Sequence, residues 1–192
     1  MQLKRTYRVG GFGHRQLEAS QELPYVQLCC HRILAALAAR FPSLKAVSAL
    51  ASGADTVFAQ CAKELGIPQE FILPFAHFEA DFTDAEALAR YRRLQDGSCT
   101  IQRLAFTERD QRAYQKSMEA VVFRSQLLIA AWDGRCSGSP GGTWQAVSLC
   151  KRLGRNLVQI DTKAKQLHWL LPDSPEGAGG RGSVMAELME RL

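Results

Sequence analysis

The sequence predicts an α/β protein: a doubly wound, mainly parallel sheet with helices on both faces. Three observations predict it. Short, nearly all-apolar runs alternate along the chain with longer patterns of helical period. The runs lack polar alternation, as in Leu127, Leu128, Ile129, Ala130, Ala131 and Trp132, which marks strands covered on both faces. Several runs empty into glycine-containing turns that open the next helix.

The elements follow in order. Tyr7, Arg8 and Val9 read as a short first strand, with Gly10-Gly11-Phe12-Gly13-His14-Arg15 as its loop. Pro24 suits a first helical turn, after which Val26, Cys30, Ile33, Leu34, Leu37, Ala38 and Phe41 recur at helical spacing. Residues 44–50 form a second strand, and Ser52-Gly53-Ala54-Asp55 opens a helix with a one-sided stripe of Val57, Phe58, Cys61, Ala62 and Leu65. Gly66-Ile67-Pro68 ends it. Residues 70–73 form a third strand ending at Pro74-Phe75. The stretch 77–110 is less regular, with a helix over 84–94 capped by Thr83 and a short strand over 100–104. Tyr114, Ser117, Met118, Val121 and Val122 outline a helix before the run at 127–132, and Thr143, Ala146, Val147, Cys150 and Leu153 outline another after it. A last strand covers 156–160. Right-handed crossovers between such strands give a Rossmann-like sheet, whose ligands bind beyond the carboxyl ends of the strands. The expected division is a nucleotide-binding domain over 1–161 and a tail over 162–192. In that tail, 172–182 is loop-like and 183–192 forms a short helix with Val184, Leu188 and Leu192 on one face.

At 192 residues, with 46% hydrophobic and 22% charged residues, the chain is long enough for one domain with a sizeable core. No apolar run is long enough to span a bilayer, and MQLKRTYRVGG has no export-signal core, so no membrane partner and a cytoplasmic location are expected. The six cysteines form no CxxC pair, and Cys29-Cys30-His31 point in different directions on a helix, so no metal is expected. A net charge of +5 and a pI near 9.0 suit polyanions or small phosphorylated ligands. The basic residues are scattered, without the interleaved aromatics of a single-strand binder.

Candidate binding residues gather at the glycine turns. Gly11, Phe12, Gly13, His14 and Arg15 form one loop, with close-approach glycines and cationic donors. It falls short of a dinucleotide fingerprint: Gln16 stands where a third glycine belongs, and no acid closes the second strand. Ser52, Gly53 and Asp55 offer a hydroxyl, a glycine and a carboxylate suited to ribose. Gly141, Gly142 and Thr143 place two glycines and a hydroxyl at one helix start, the best phosphate cradle in the chain. Asp133-Gly134 is a turn pair at a strand exit. It reads as turn or ligand contact ahead of catalysis, with Asp133 as the candidate catalytic acid and Asp55, Glu108 and Asp110 behind it. Tyr114 is a weaker candidate to stack on a base.

GFGHR, LASGADTVFAQCAKELGIP, FILPF and LLIAAWDG…SPGGT, in this order over residues 7–161, resemble the SLOG superfamily. That group includes the Lonely Guy proteins, the lysine-decarboxylase-like proteins and DNA-processing protein A. The resemblance implies a Rossmann-like nucleotide-binding fold, the sensing of nucleotide-derived second messengers in bacterial anti-phage systems, or hydrolysis of nucleoside-monophosphate N-glycosidic bonds. It also implies pairing through helices, so a homo-oligomer, a dimer, is expected. The hydrolytic branch carries PGGxGTxxE; here the loop reads Pro140-Gly141-Gly142-Thr143-Trp144-Gln145-Ala146, with Ala146 at the glutamate. Gln145 stands where sensing relatives carry Glu. Neither side chain works as a general base or offsets an oxocarbenium charge, although Gln145 retains hydrogen bonds for a base or ribose. The expected function is therefore sensing of a nucleotide or nucleotide-derived ligand, with no cofactor required and an effector protein as partner. The alternatives are Lonely Guy-type hydrolysis and, more weakly, handling of single-stranded DNA.

Overall fold

A computed structural model describes residues 6–17, 20–97, 99–136 and 141–170. Its strands are β1 (Tyr7–Gly13), β2 (Leu44–Ser48), β3 (Gln69–Leu73), β4 (Cys99–Arg103), β5 (Leu127–Ala131), β6 (Asn156–Asp161) and β7 (Gln166–Leu170). Its helices are α1 (Leu23–Arg40), α2 (Ala54–Glu64), α3 (Ala85–Leu94), α4 (Gln111–Arg124) and α5 (Thr143–Arg152). The sheet order is β4-β3-β2-β1-β5-β6-β7, parallel except for the antiparallel β6–β7 pair. The chain steps outward from β1 to β4, then returns to pair β5 against the other side of β1, Gly13 opposite Ala131. The β1/β5 boundary is thus the switch point of a Rossmann-like sheet.

Strand alternation explains why β5 is apolar throughout. Leu127, Ile129 and Ala131 face the core under α1 and α2, with Val26, Ile33, Leu37 and Phe58. Leu128 and Ala130 face the opposite core, with Val122 of α4 and Ala146, Val147 and Cys150 of α5. A third cluster, including Phe75, Phe78, Phe82 and Tyr91, closes the β3 side beneath α3.

The structure corrects three local expectations. Gly10, Gly11 and Gly13 lie inside β1 rather than in a loop after it. The reason is packing: a Cβ at Gly11 would stand 2.2 Å from the Phe58 ring, and one at Gly13 would stand 2.3 Å from the Ala131 carbonyl. Asp84, not Thr83, caps α3, its carboxylate accepting the Ala87 N–H at 2.7 Å. The sheet also continues past residue 161. Asp161 Oδ1 accepts the N–H groups of Lys163 at 2.9 Å and Ala164 at 2.8 Å, turning the chain back into β7. Leu167 and Trp169 of β7 then pack on one core and Leu170 on the other. Pro140, the expected 172–182 linker and the expected 183–192 helix lie outside the described residues.

Candidate functional site

The carboxyl ends of β1, β2 and β3 and the start of α5 enclose a cavity of about 400 Å³, a size suited to small ligands. Gly11, Phe12, Gly13, His14 and Arg15 form its β1 side, Asp55 its floor, and Gly141, Gly142 and Thr143 its α5 side. Ala49, Ala51, Pro74, Phe78, Tyr114, Ser117, Met118, Val121 and Ala146 complete the wall. Three segments far apart in sequence, the end of β1, the start of α2 and the start of α5, therefore meet where the topology reverses.

Each loop is held by local bonds. The β1 exit is tied to α2: Ala54 N–H donates to the His14 carbonyl at 3.0 Å, and His14 N–H donates to the Ala131 carbonyl at 3.1 Å. Gly53 fits only as glycine here, with φ +92° and a would-be Cβ 2.3 Å from the His14 carbonyl oxygen. Leu50, just past β2, also takes a left-handed φ of 55°, unusual for a branched residue, on the segment that supplies Ala49 and Ala51 to the cavity. At α5, Gly142 is the N-cap and carries no side chain to cap the first turn. Gly141 takes φ +74° and lies against α4, its would-be Cβ 3.0 Å from Tyr114 Cβ.

Charge is arranged around this frame. Asp55 is 5% exposed, and burial pushes its carboxyl up to about 7, against the opposing pull of Arg15 and of backbone hydrogen bonds involving Ala51, Ala49 and Gly13. An acid kept partly protonated near neutrality repels an anionic ligand less than an ordinary aspartate. At the mouth, Arg15 Nη1 lies 3.5 Å from Asp81 Oδ2 and its guanidinium sits 4.8 Å from the Tyr114 ring centre. Tyr114 Oη donates to the same Asp81 oxygen at 2.5 Å.

Other expected site residues stand elsewhere. Asp133 faces a second, more open cleft of about 470 Å³, lined also by His14, Arg15, Glu22, Thr162 and Lys163. His14 Nε2 accepts the Asp133 N–H at 3.2 Å and lies 3.2 Å from Asp133 Oδ1. Arg135 N–H donates to that oxygen at 3.1 Å, closing the turn around Gly134. Burial opposes the Asp133 charge, but the Arg135 N–H, His14 and the Arg135 guanidinium outweigh it and hold the carboxyl below its usual range. Gln145 Oε1 accepts the Gly141 N–H at 2.6 Å, so this side chain braces the loop. Ser52, Gly53 and Gly134 are not among the cavity-lining residues either. Asp110 caps α4 by accepting the Arg112 N–H at 2.8 Å, and Glu108 is exposed outside the cavity. Sequence reasoning missed Phe78 and Asp81, which sit on a 3-10 turn in the irregular 77–110 stretch where no period signals them.

A scan against protein-family models and a search of curated proteins both give no match. Solved structures do match. DNA processing protein A from Streptococcus pneumoniae is 14% identical with a TM-score of 0.59, the match covering 95% of this chain and 56% of that one. This chain thus spans little more than half of that protein's length. DNA processing protein A from Helicobacter pylori, in a structure described for its single-stranded DNA binding mode, is 16% identical at a TM-score of 0.56, covering 94% of this chain and 72% of that one. The Moco carrier protein from Chlamydomonas reinhardtii is 14% identical at a TM-score of 0.54, covering 98% of this chain and all of that one (100%). The chain shares the Rossmann-like α/β fold of these proteins.

Proposed function

We propose that this chain binds a nucleotide or nucleotide-derived ligand in the cavity at the β1/β5 switch, and holds it rather than cutting it. The observation that carries this reading is the convergence on one cavity of the uncapped α5 N-terminus, the β1 exit with Arg15, and an aromatic wall of Phe78 and Tyr114. Phosphate belongs at Gly142 and Thr143, where first-turn N–H groups and the helix dipole favour an anion. The base belongs against the apolar wall. Ala146 lines the cavity where hydrolytic relatives carry their glutamate, which supports holding over cleavage. As a sensor the chain passes its signal to an effector protein or to a second copy of itself.

The test is mass spectrometry of nucleotide co-purifying with the protein, followed by thermal-shift titration with nucleoside mono- and diphosphates. Binding weakened by Thr143→Trp, which fills the cavity mouth, is the expected result. No co-purified nucleotide and no shift with any member of the panel would sink the reading. Hydrolysis retains one supporting observation, the Asp55 carboxyl on the cavity floor with its raised pKa of about 7. It requires free base released from a nucleoside monophosphate and lost in Asp55→Asn; absence of base across the panel removes it. A single-stranded DNA oligonucleotide at low salt belongs in the same panel, since salt-sensitive binding there would favour a DNA-handling role.

A further inference from the structure

We propose that Arg15 and Arg109, gathered on Asp81, form a second anion receptor at the cavity mouth, so that the site selects a ligand carrying a diphosphate group. This rests on the nucleotide-binding reading above and names its ligand class. Asp81 sits on the 3-10 turn Phe78–Asp81, its side chain 8% exposed. Its two oxygens are divided between the arginines: Oδ2 lies 3.5 Å from Arg15 Nη1, and Oδ1 lies 3.5 Å from Arg109 Nε. Tyr114 Oη donates to Oδ2 as well. Asp81 thus faces two guanidinium groups, a formal surplus of one positive charge over these three side chains, with the buried Asp55 also drawing on Arg15.

Both arginines keep much of their surface in solvent, at 51% and 71% of side-chain exposure. Their separations from Asp81 are longer than a close N–H···O bond, so donors remain for an incoming anion. Arg15 is itself a lining residue, set in place over the Tyr114 ring at 4.8 Å. Arg109 stands one carboxylate further out, on the loop leading into α4, and joins the cavity through Asp81.

The placement relative to α5 sets the ligand class. Gly141, at the α5 N-terminal receptor, abuts Tyr114 at its Cβ, while the hydroxyl of the same tyrosine reaches Asp81. The two anion receptors are therefore separated by about one tyrosine side chain. A single phosphate on α5 leaves the arginines unused; a diphosphate offers a charge to each. Guanidinium forks suit such an oxygen-rich group. The diphosphate has two possible sources, free at the end of a nucleoside diphosphate or bridging two sugars.

The experiment is calorimetric titration of the wild-type chain and of Arg109→Ala and Arg109→Lys with AMP, ADP and ADP-ribose at one ionic strength. Arg109 is exposed, so its replacement leaves the core intact. The wild type should bind ADP or ADP-ribose at least about tenfold more tightly than AMP, the scale of one charge-assisted contact. Arg109→Ala should remove that preference while changing AMP affinity less than about twofold, and Arg109→Lys should restore part of it. Whichever diphosphate shows the Arg109-dependent gain identifies the source. AMP binding as tightly as both diphosphates, or a preference untouched by Arg109→Ala, overturns this proposal and leaves nucleotide binding standing. No binding by any of the three overturns this proposal, and the nucleotide reading then stands or falls on the co-purification and full-panel test above.

Discussion

A Cβ at Gly11 would meet three atoms of the Phe58 ring at 2.2–2.5 Å, and the ring belongs to a core side chain only 2% exposed. Neither β1 nor α2 has room to yield, so Gly11→Ala should cost roughly 1–3 kcal/mol of overpacking strain. Chemical denaturation of the variant measures it, with Gly66→Ala as a contrast. At Gly66 the added carbon meets nothing within 4 Å, and the cost there comes only from its φ of +66°. Asp55 gives a second expectation at this scale. Its carboxyl is raised from 3.8 to about 7, so the folded chain binds that proton more tightly than the unfolded chain. Its contribution to stability is complete below about pH 4, falls as pH rises, and is lost above about pH 7. Asp133 and Glu119, whose carboxyls are lowered, act in the opposite sense and lose their contribution as pH falls. The difference between wild type and Asp55→Asn isolates the Asp55 slope: stability measured across pH 4–7 should decline less steeply in the variant.

The helices owe their ends to local chemistry. Asp84 caps α3 at 2.7 Å from the Ala87 N–H, and Asp84→Ala should cost about 1 kcal/mol with ligand binding unchanged, as urea titration and a binding isotherm on the same variant would report. Much at this scale was legible in the sequence, because period and punctuation carry it: Pro24 in the first turn of α1, the one-sided stripe of α2, and the buried run of β5 all fall where expected. The misses have physical causes. The glycines of β1 look like loop residues because glycine serves both loops and close packing, and only the position of Phe58 decides between them. β7 escaped because QLHWL is short and half polar, and its turn is made by a single aspartate, Asp161. At the site, Arg15, Asp55 and the Gly141–Thr143 start of α5 were legible from turn chemistry. Asp133 and Asp81 were not, because their partners (His14, and Arg15 with Arg109) are set by tertiary contact, and Gln145 was not, because its side chain turns back onto the Gly141 N–H four residues earlier.

For the whole molecule, the cavity links binding to folding. Its walls come from β1, α2, the β3 exit, α4 and α5, so the cavity exists only when both halves of the sheet are assembled. A ligand that needs this assembled state at about 100 times its dissociation constant stabilises the fold by about 2.7 kcal/mol, raising Tm by roughly 5–10 °C in a chain of this size. Differential scanning fluorimetry with the nucleotide panel checks this. A stabilisation independent of ligand concentration would rule out binding to the folded state alone. Among the described residues no helix is long and apolar enough to cross a membrane.

The central position of β1 also bears on how the chain is made. Its bond partner on the switch side is remote: the Arg8 N–H donates to Gln126 Oε1 across 118 residues of chain. A ribosome releases β1 early and β5 late, so the middle strand of the finished sheet is first an edge strand. Through the synthesis of β2, β3 and β4 its open side exposes unpaired backbone groups beside apolar Val9. Long-range parallel pairing of this kind closes slowly. The nascent chain is therefore most vulnerable to wrong pairing at the place where the mature protein is most deeply buried; arrival of β5 completes the sheet centre, and α5, made after it, closes the cavity.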